Sequence, residues 1–393
     1  MIYLDNAATS WPKPEMVYMA MDESLRKSGG NPGRGGHSMA LAATRIIDDV
    51  RLSMARLINA EDKNRVIFTL NCTDSLNMGL KGLLKPGDHV ITSTLEHNSI
   101  VRPLRKLERR GIKVTWLSPG SSGGYILPED IEKAINPQTR LVVMTHSSNV
   151  NGVIQPIKDY GDITRRHNVI FMVDAAQTAG RYRLDVQEQK IDLLACSGHK
   201  GLFGPPGVGI LYIGGRVELD TLREGGTGSQ SEREEQPDEL PFKFESGTPN
   251  TVGIAGLGAG LKFIAREGMN KILTHEQCLA TRLIEGLSDI KGVTVYSAND
   301  VENQAPIVSF TIEMSEPGEA GAILDQAFDI KVRAGLHCAP IAHKTFGTFP
   351  RGTIRLSPGY FNTMQEIDFT IQSIGKIAHM GKLEAGYTKL EGR

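Results

Sequence analysis

The chain has 393 residues, of which 40% are hydrophobic, and its 44 Lys and Arg nearly balance its 45 Asp and Glu. A chain of this length and composition can bury a large core and divide into two domains, and its balanced charge argues against nucleic acid or an acidic membrane surface as a partner. Its first residues show no signal-peptide pattern, and no run of about 18 apolar residues could span a bilayer. We therefore expect a cytoplasmic protein whose partners are small molecules or other proteins.

Short runs rich in Val, Ile and Leu predict seven β-strands in the first part of the chain. In chain order they are 65–69, 89–93, 113–117, 140–145, 169–174, 192–196 and 208–213. Helix-patterned segments separate most of them, at 73–84, 98–110 and 157–167. Alternating strands and helices predict an α/β fold with a mainly parallel, helix-covered sheet. Such sheets bind ligands at the carboxyl ends of their strands.

The pattern changes after residue 251. Two long helical stretches at 252–266 and 271–287 precede a mixed region, and a last helix is predicted near 364–379. This order predicts a second, smaller α+β domain. The resulting division is an N-terminal segment (1–14) that packs with the small domain, a large α/β domain (15–260), a small C-terminal domain (261–380) and a disordered tail (381–393).

Polar residues follow two of the predicted strands, where a ligand cleft is expected. Asp174 closes the fifth strand and Gln177 follows it, although a carboxylate in that position also serves as a helix cap. After the sixth strand come Ser197, His199 and Lys200, beside glycines and prolines that permit close backbone approach. A lysine in such a place is a candidate for forming a Schiff base with a carbonyl group.

Several motifs occur in the order found in class V aminotransferase-like enzymes, and the chain most closely resembles cysteine desulfurases and selenocysteine lyases. The motifs are LDNAAT (4–9), NPGRGGH (31–37), EHNS (96–99), SSNVNG (147–152), VDAAQ (173–177), SGHKGLFGPPG (197–207), ESGTPNT (245–251) and RAGLHCA (333–339). The resemblance covers the chain from Tyr3 to about Met380. It implies the fold type I architecture, pyridoxal 5'-phosphate as the cofactor, and a homodimer with shared active sites.

The resemblance also assigns roles around the cofactor. Lys200 matches the lysine that forms the Schiff base, and Asp174 matches the carboxylate that keeps the ring nitrogen protonated. Gln177 matches the group that reaches the phenolate oxygen, and His97 matches a catalytic residue that stacks on the ring. The remaining cofactor ligands are Thr73, Ser197 and His199 at the phosphate, Thr251 at the phosphate of the partner subunit, and Asn149 near the cofactor and the substrate carboxylate.

Substrate-binding residues follow from the same resemblance. Arg355 matches the clamp for the substrate carboxylate, and a planar guanidinium suits bidentate binding of that group. Asn31, Arg34 and His37 match a lid region near the N-terminus, where Asn31 and Arg34 are expected to contact the substrate.

Cys338 lies in a loop-like stretch, where a lone cysteine is most often a small residue without a catalytic role. The resemblance matches it to the desulfurase nucleophile, which takes the sulfur of L-cysteine as a persulfide and leaves L-alanine, before passing the sulfur to a possible protein acceptor. We expect His337 to favour the thiolate electrostatically. Leu336 replaces a second histidine found in many relatives, and the span to Arg355 is long. These two departures leave the acceptor and the choice between sulfur and selenium open.

Several alternatives remain. A selenocysteine lyase, or a pyridoxal-phosphate transaminase or C–S β-lyase, would not depend on Cys338. A dehydrogenase would need a G-x-G-x-x-G loop after a strand, and the nearest match, GLGAGL (256–261), lacks the last glycine and the strand. A metal site formed by His337, Cys338 and His343 would lack a fourth ligand, so we expect no metal.

Overall fold

The computed structural model describes residues 1–33, 35–120, 123–298 and 301–391. Its strands are β1 (Ile2–Tyr3), β2 (Val66–Thr69), β3 (His89–Ser93), β4 (Lys113–Leu117), β5 (Thr139–Thr145), β6 (Ile170–Asp174), β7 (Leu193–Ser197), β8 (Gly209–Ile213), β9 (Val293–Tyr296), β10 (Val308–Ile312), β11 (Ile330–Lys331), β12 (Arg333–Gly335) and β13 (Thr353–Leu356). Its α-helices are α1 (Glu15–Lys27), α2 (Ser38–Leu57), α3 (Cys72–Leu83), α4 (Asn98–Glu108), α5 (Pro128–Ala134), α6 (Ile157–Arg166), α7 (Thr251–Glu267), α8 (Met269–Ser288), α9 (Pro317–Phe328), α10 (Pro340–Thr345) and α11 (Met364–Glu391). No helix in these described ranges is both long and apolar enough to cross a membrane.

The central sheet contains the seven strands predicted from the sequence, in the order β2-β8-β7-β6-β5-β3-β4. Each strand lies within one residue of its predicted bounds. Only β8 runs against its neighbours, β2 and β7, and the other strands share one direction. The predicted α/β fold with a mainly parallel sheet is therefore confirmed.

Both faces of this sheet are covered, which explains why its strands are continuous apolar runs. Along β6, Phe171 and Val173 pack into one hydrophobic cluster, whereas Ile170 and Met172 pack into a second cluster. Successive side chains of a strand point to opposite faces, so both faces of β6 lie in apolar cores.

A second sheet is built from the last third of the chain. It is antiparallel, with the order β12-β13-β10-β9, and the helices α8, α9 and α11 pack around it. The start of the chain joins this region, because β1 pairs in parallel with β11 and Asp5 forms an isolated bridge with Ser357. The N-terminal segment and β13 therefore lie side by side.

The glycines of GLGAGL lie in the middle of α7 and contact neighbouring elements. A Cβ at Gly258 would lie 2.5 Å from Val50 of α2, and one at Gly260 would lie 2.3 Å from the backbone oxygen of Leu202. These glycines allow close packing of a helix and do not form a loop that follows a strand. The dinucleotide-binding alternative is therefore wrong.

Two of the predicted boundaries fall inside helices. Residue 260, the predicted end of the large domain, lies within α7, and we propose to move that boundary to Gly268, between α7 and α8. The predicted boundary at residue 381 lies within α11, which continues to Glu391, and disorder of the tail stays a prediction. This segment is rich in Lys, Leu, Glu and Ala, whose helix propensity is high even without an apolar period.

Candidate active site

Four adjacent parallel strands, β3, β5, β6 and β7, end at the same edge of the central sheet, and a cavity of about 150 Å³ lies there. Its walls combine the residues after these strand ends with the first turn of α3. They are Asn71, Cys72, Thr73, His97, Ser99, Thr145, Ser147, Asn149, Asp174, Ala176, Gln177, Ser197, His199 and Lys200. Most of the residues assigned to the cofactor from the sequence thus surround one cavity.

Asp174 and Lys200 contribute opposite charges to this cavity. Asp174 ends β6, is 4% exposed, and accepts a hydrogen bond from the Ala176 N–H at 2.9 Å and a weak one from the Cys72 thiol at 3.6 Å. Burial raises the pKa of the Asp174 carboxyl and lowers the pKa of the Lys200 ammonium, and each charge opposes the shift of the other. An amine with a lowered pKa is more readily neutral, which is the form that attacks a carbonyl carbon.

Polar atoms without partners line the same cavity. Ser147 Oγ, Gln177 Oε1 and His199 Nδ1 are buried and have no hydrogen-bond partner among the described residues. Gln177 is oriented by its other amide atom, since Nε2 donates to the backbone oxygen of Ala7 at 3.2 Å. Buried polar atoms without protein partners indicate a polar ligand. The N-terminus of α3, whose first turn lines the cavity, carries the positive end of the helix dipole and favours an anionic one.

His97 is held as a neutral imidazole at the start of α4. Its Nδ1 accepts a hydrogen bond from the backbone N–H of Ser99 at 3.1 Å, which leaves the ring proton on Nε2. Burial, with a further contribution from the nearby Lys200 charge, lowers the pKa of His97 to about 4. His97 therefore carries no charge near pH 7.

The loop that carries Cys338 is attached to this cavity by its backbone. The oxygen of His337 accepts a hydrogen bond from Asn149 Nδ2 at 2.7 Å, and the oxygen of Cys338 accepts one from the Asn98 N–H at 2.8 Å. Both loop residues have left-handed backbone angles, with φ of 48° and 58°. The peptide is thus fixed in an uncommon conformation, and the Cys338 thiol is exposed.

The expectation that His337 favours the thiolate is wrong. His337 is 2% exposed, its Nε2 pairs with Thr353 Oγ1 at 2.9 Å, and burial, reinforced by the Arg355 charge, lowers its pKa to about 2. The nearby positive charge comes instead from Arg333, whose Nη2 donates to Cys338 Sγ at 3.2 Å. Sequence reasoning missed Arg333, although it is the first residue of the RAGLHCA motif.

We expect Arg333→Met to slow the reaction of Cys338 with iodoacetamide at pH 7 by a few-fold, because the guanidinium stabilises the negative sulfur that reacts. The effect stays small because solvent screens an exposed charge pair. Mass spectrometry of the Cys338 peptide measures the rate. Arg333→Lys should recover part of it, and Arg351→Met, at an arginine bound to Glu316, is the matched control. An unchanged rate in Arg333→Met would contradict this role.

Arg355 lies on β13 next to the cavity and is 1% exposed. Its Nη2 pairs with Asp5 Oδ1 at 2.7 Å, and its Nη1 donates to the backbone oxygen of Asn149 at 3.2 Å. Its Nε has no partner among the described residues. The guanidinium therefore lies one hydrogen bond from a cavity residue, in contact with a carboxylate that the sequence reasoning did not identify.

Other assigned residues lie outside the cavity wall of this chain. Asn31 is in the connection between α1 and α2, and His37 caps α2 by accepting a hydrogen bond from the Ala40 N–H at 3.4 Å. Thr251 is the first residue of α7, and Arg34 lies outside the described residues. Within the described ranges, no group of three or more His, Cys, Asp and Glu residues could hold a metal ion.

Comparisons with known proteins agree on one family. A model of the class-V aminotransferases matches residues 2–369. A protein of Methanothermobacter thermautotrophicus described as a probable cysteine desulfurase is 37% identical over 97% of this chain and 95% of its own length. The apo structure of a cysteine desulfurase from Thermococcus onnurineus NA1 matches with a TM-score of 0.87 at 34% identity, over 96% of this chain and 94% of that one. The cysteine desulfurase CsdA of Escherichia coli matches with a TM-score of 0.85 at 28% identity, over 96% and 94% of the two chains.

Proposed function

The chain belongs to the class-V aminotransferase family, and we propose that it is a pyridoxal-phosphate-dependent cysteine desulfurase that converts L-cysteine to L-alanine and keeps the sulfur on Cys338 as a persulfide. The observation that carries this proposal is the attachment of the Cys338 loop to the cavity through Asn149 and Asn98. The similarity to cysteine desulfurases over nearly the whole chain supports it.

The cavity fits pyridoxal 5'-phosphate on the chemistry of its side chains. When bound, this cofactor supplies an electron sink for the electrons released at the substrate Cα. In our proposal Lys200 would hold its aldehyde carbon and Asp174 would hold its protonated ring nitrogen. The Gln177 amide nitrogen, which donates one hydrogen to the Ala7 oxygen, would donate its second to the ring oxygen. The phosphate ligands from this chain are Thr73, Ser197 and His199. The unpartnered His199 Nδ1 and the first turn of α3 support that set.

Arg355, Asn149 and Lys200 act on the substrate in this proposal. Arg355 binds the carboxylate of L-cysteine, and Asn149 lies beside it. Lys200, which is more readily neutral than an exposed lysine, moves the proton at the substrate Cα. His97, a neutral imidazole on the cavity wall, would lie against the ring of the bound cofactor.

The Cys338 thiolate then takes the sulfur. Its Sγ forms an S–S bond with the substrate sulfur while the substrate C–S bond breaks, and the electron pair of that bond stays with the substrate carbon, which is protonated to give L-alanine. The persulfide on Cys338 holds the transferred sulfur, so the step needs no external oxidant. A thiol or a protein acceptor then removes this sulfur.

A direct test is to supply the purified holoenzyme with L-cysteine and a thiol reductant and to measure the products. We expect alanine and sulfide in equal amounts. Pyruvate with ammonia would identify a β-lyase instead, and a keto acid without sulfide would identify a transaminase. A parallel assay with L-selenocysteine gives kcat/KM for that substrate. Comparing it with kcat/KM for L-cysteine shows whether sulfur or selenium is preferred.

We further propose that the enzyme is a homodimer in which Thr251 binds the cofactor phosphate of the partner subunit. Thr251 begins α7 outside the cavity of its own chain, which suits a contribution to a neighbouring one.

We expect Thr251→Ala to raise the dissociation constant of the cofactor by about 10- to 100-fold, because a hydrogen bond to a charged group contributes roughly 1.5–3 kcal/mol. Equilibrium dialysis measures the constant, and Thr294→Ala, an exposed threonine on β9, is the control. A fully active monomer in sedimentation experiments would refute the shared site.

A further inference from the structure

Arg355 already has an anionic partner within the chain. Its Nη2 lies 2.7 Å from Asp5 Oδ1, and the two side chains differ in environment, since that of Arg355 is 1% exposed and that of Asp5 is 21% exposed. Burial lowers the pKa of the Arg355 guanidinium, Asp5 opposes this shift, and the nearby Arg333 charge adds to it. Two cations and one anion thus share the place where the proposed function puts the substrate carboxylate.

The backbone fixes Asp5 at this place. Ser357 donates its N–H to the oxygen of Leu4 at 2.7 Å and accepts the N–H of Asn6 on its own oxygen at 3.2 Å. Its Oγ also accepts the Ala7 N–H at 2.9 Å. Hydrogen bonds of the flanking residues therefore hold Asp5 next to β13. These bonds, and not the ion pair with Arg355, fix the position of Asp5.

Arg355 retains the capacity to bind a second carboxylate. Asp5 contacts only one nitrogen, the Asn149 oxygen contacts another, and Nε has no partner among the described residues. A guanidinium carries more N–H donors than these contacts use, and it binds a carboxylate best through two of them at once. A ligand that engages Nε and a terminal nitrogen competes with Asp5, whose partly exposed carboxylate can regain water when it is displaced.

We propose that Asp5 is an internal counter-anion of Arg355, which occupies the guanidinium in the free enzyme and weakens the hold of the site on carboxylate ligands, including the product L-alanine. This inference rests on the role of Arg355 in the proposed function. The opposite possibility, that Asp5 strengthens binding by orienting Arg355, is disfavoured because the Asn149 oxygen and near-complete burial also hold the guanidinium. Removing a full negative charge in direct contact has the larger effect on an incoming anion.

The test compares binding of L-alanine and L-alaninamide to the holoenzyme by calorimetry, for the parent and for Asp5→Asn. L-Alaninamide has no carboxylate, so it reports every effect that does not pass through the guanidinium. We expect Asp5→Asn to bind L-alanine about tenfold more tightly, which corresponds to about 1.4 kcal/mol, and to bind L-alaninamide as the parent does. A purely structural role of Asp5 would change the affinity for both ligands alike.

Tyr3→Phe is the matched control, because the Tyr3 hydroxyl donates to the backbone oxygen of Asp5 at 3.2 Å and its loss disturbs the segment without removing the carboxylate. Unchanged or weaker binding of L-alanine in Asp5→Asn would overturn the proposal. So would loss of folding in both Asp5→Asn and Asp5→Ala, since a displaceable anion is not required for the fold. Binding of L-alanine does not need sulfur chemistry, so this test remains valid if the enzyme does not desulfurate L-cysteine. If the parent does not bind L-alanine, both the carboxylate-binding role of Arg355 and the counter-anion role of Asp5 are refuted.

Discussion

Replacing Cys338 with alanine is expected to lower the formation of alanine and sulfide from L-cysteine by several orders of magnitude, the usual cost of losing the nucleophile of a covalent step. The cofactor should still bind with parental affinity, because Cys338 does not line the cavity and its loop is held through backbone oxygens. Product assays and mass spectrometry of the persulfide measure the first half of this prediction, and equilibrium dialysis of the cofactor measures the second.

Cys278→Ala is the matched control, because Cys278 is the other exposed cysteine of the chain and lies on α8. Cys338→Ala is expected to lose less activity toward L-selenocysteine than toward L-cysteine, since selenium can leave without the enzyme thiol. If Cys338→Ala forms alanine as fast as the parent does, Cys338 has no catalytic role and the transaminase or β-lyase function replaces the desulfurase.

Lys200→Ala is expected to abolish both turnover and the covalent attachment of the cofactor. Reduction of the parent holoenzyme with borohydride should fix the cofactor on the peptide that contains Lys200, and peptide mass spectrometry should find no such adduct in the variant. The physical reason is that Lys200 is the amine on the cavity wall, where burial lowers its pKa.

Lys13 is the alternative attachment site that this experiment must exclude. Burial, with a contribution from the Arg181 charge, lowers the pKa of Lys13 to about 7, so it is the other lysine near this region that is readily neutral. Its Nζ is engaged, however, with the backbone oxygen of His199 at 2.7 Å and Ser10 Oγ at 2.8 Å. An adduct on Lys13 in the parent would show that the attachment site is wrongly assigned.

The strands of the central sheet could be predicted from sequence because each is short, apolar and buried. In β2, β3, β6, β7 and β8 every residue is buried, so burial on both faces removes the polar alternation that would blur their limits. The strands of the smaller sheet were not located individually. β9 and β12, for example, contain no buried residue, so their composition carries little signal.

Asp174, Gln177, Ser197, His199 and Lys200 could be predicted because each ends or follows a strand of a parallel sheet. The other cavity residues assigned to the cofactor, Thr73, His97 and Asn149, came from the resemblance to a known family. Asp5 could not, because its contact with Arg355 joins positions 350 residues apart. The neutral state of His337 depends on burial, which neighbouring residues do not disclose. The roles of Asn31 and Thr251 stay predictions because neither lines the cavity of this chain, and that of Arg34 stays one because Arg34 lies outside the described residues.

The side-by-side placement of the N-terminal segment and β13 bears on how the protein is made. On the ribosome, residues 1–14 emerge long before β13, so Asp5 and Ser357 can pair only after β13 has been synthesised. The central sheet is complete in sequence by Ile213, long before the Cys338 loop or Arg355 has emerged. Under the proposed function, an unfinished nascent chain therefore contains most of the cofactor pocket but neither the nucleophile nor the clamp. Such a chain cannot release reactive sulfur while it is still being translated.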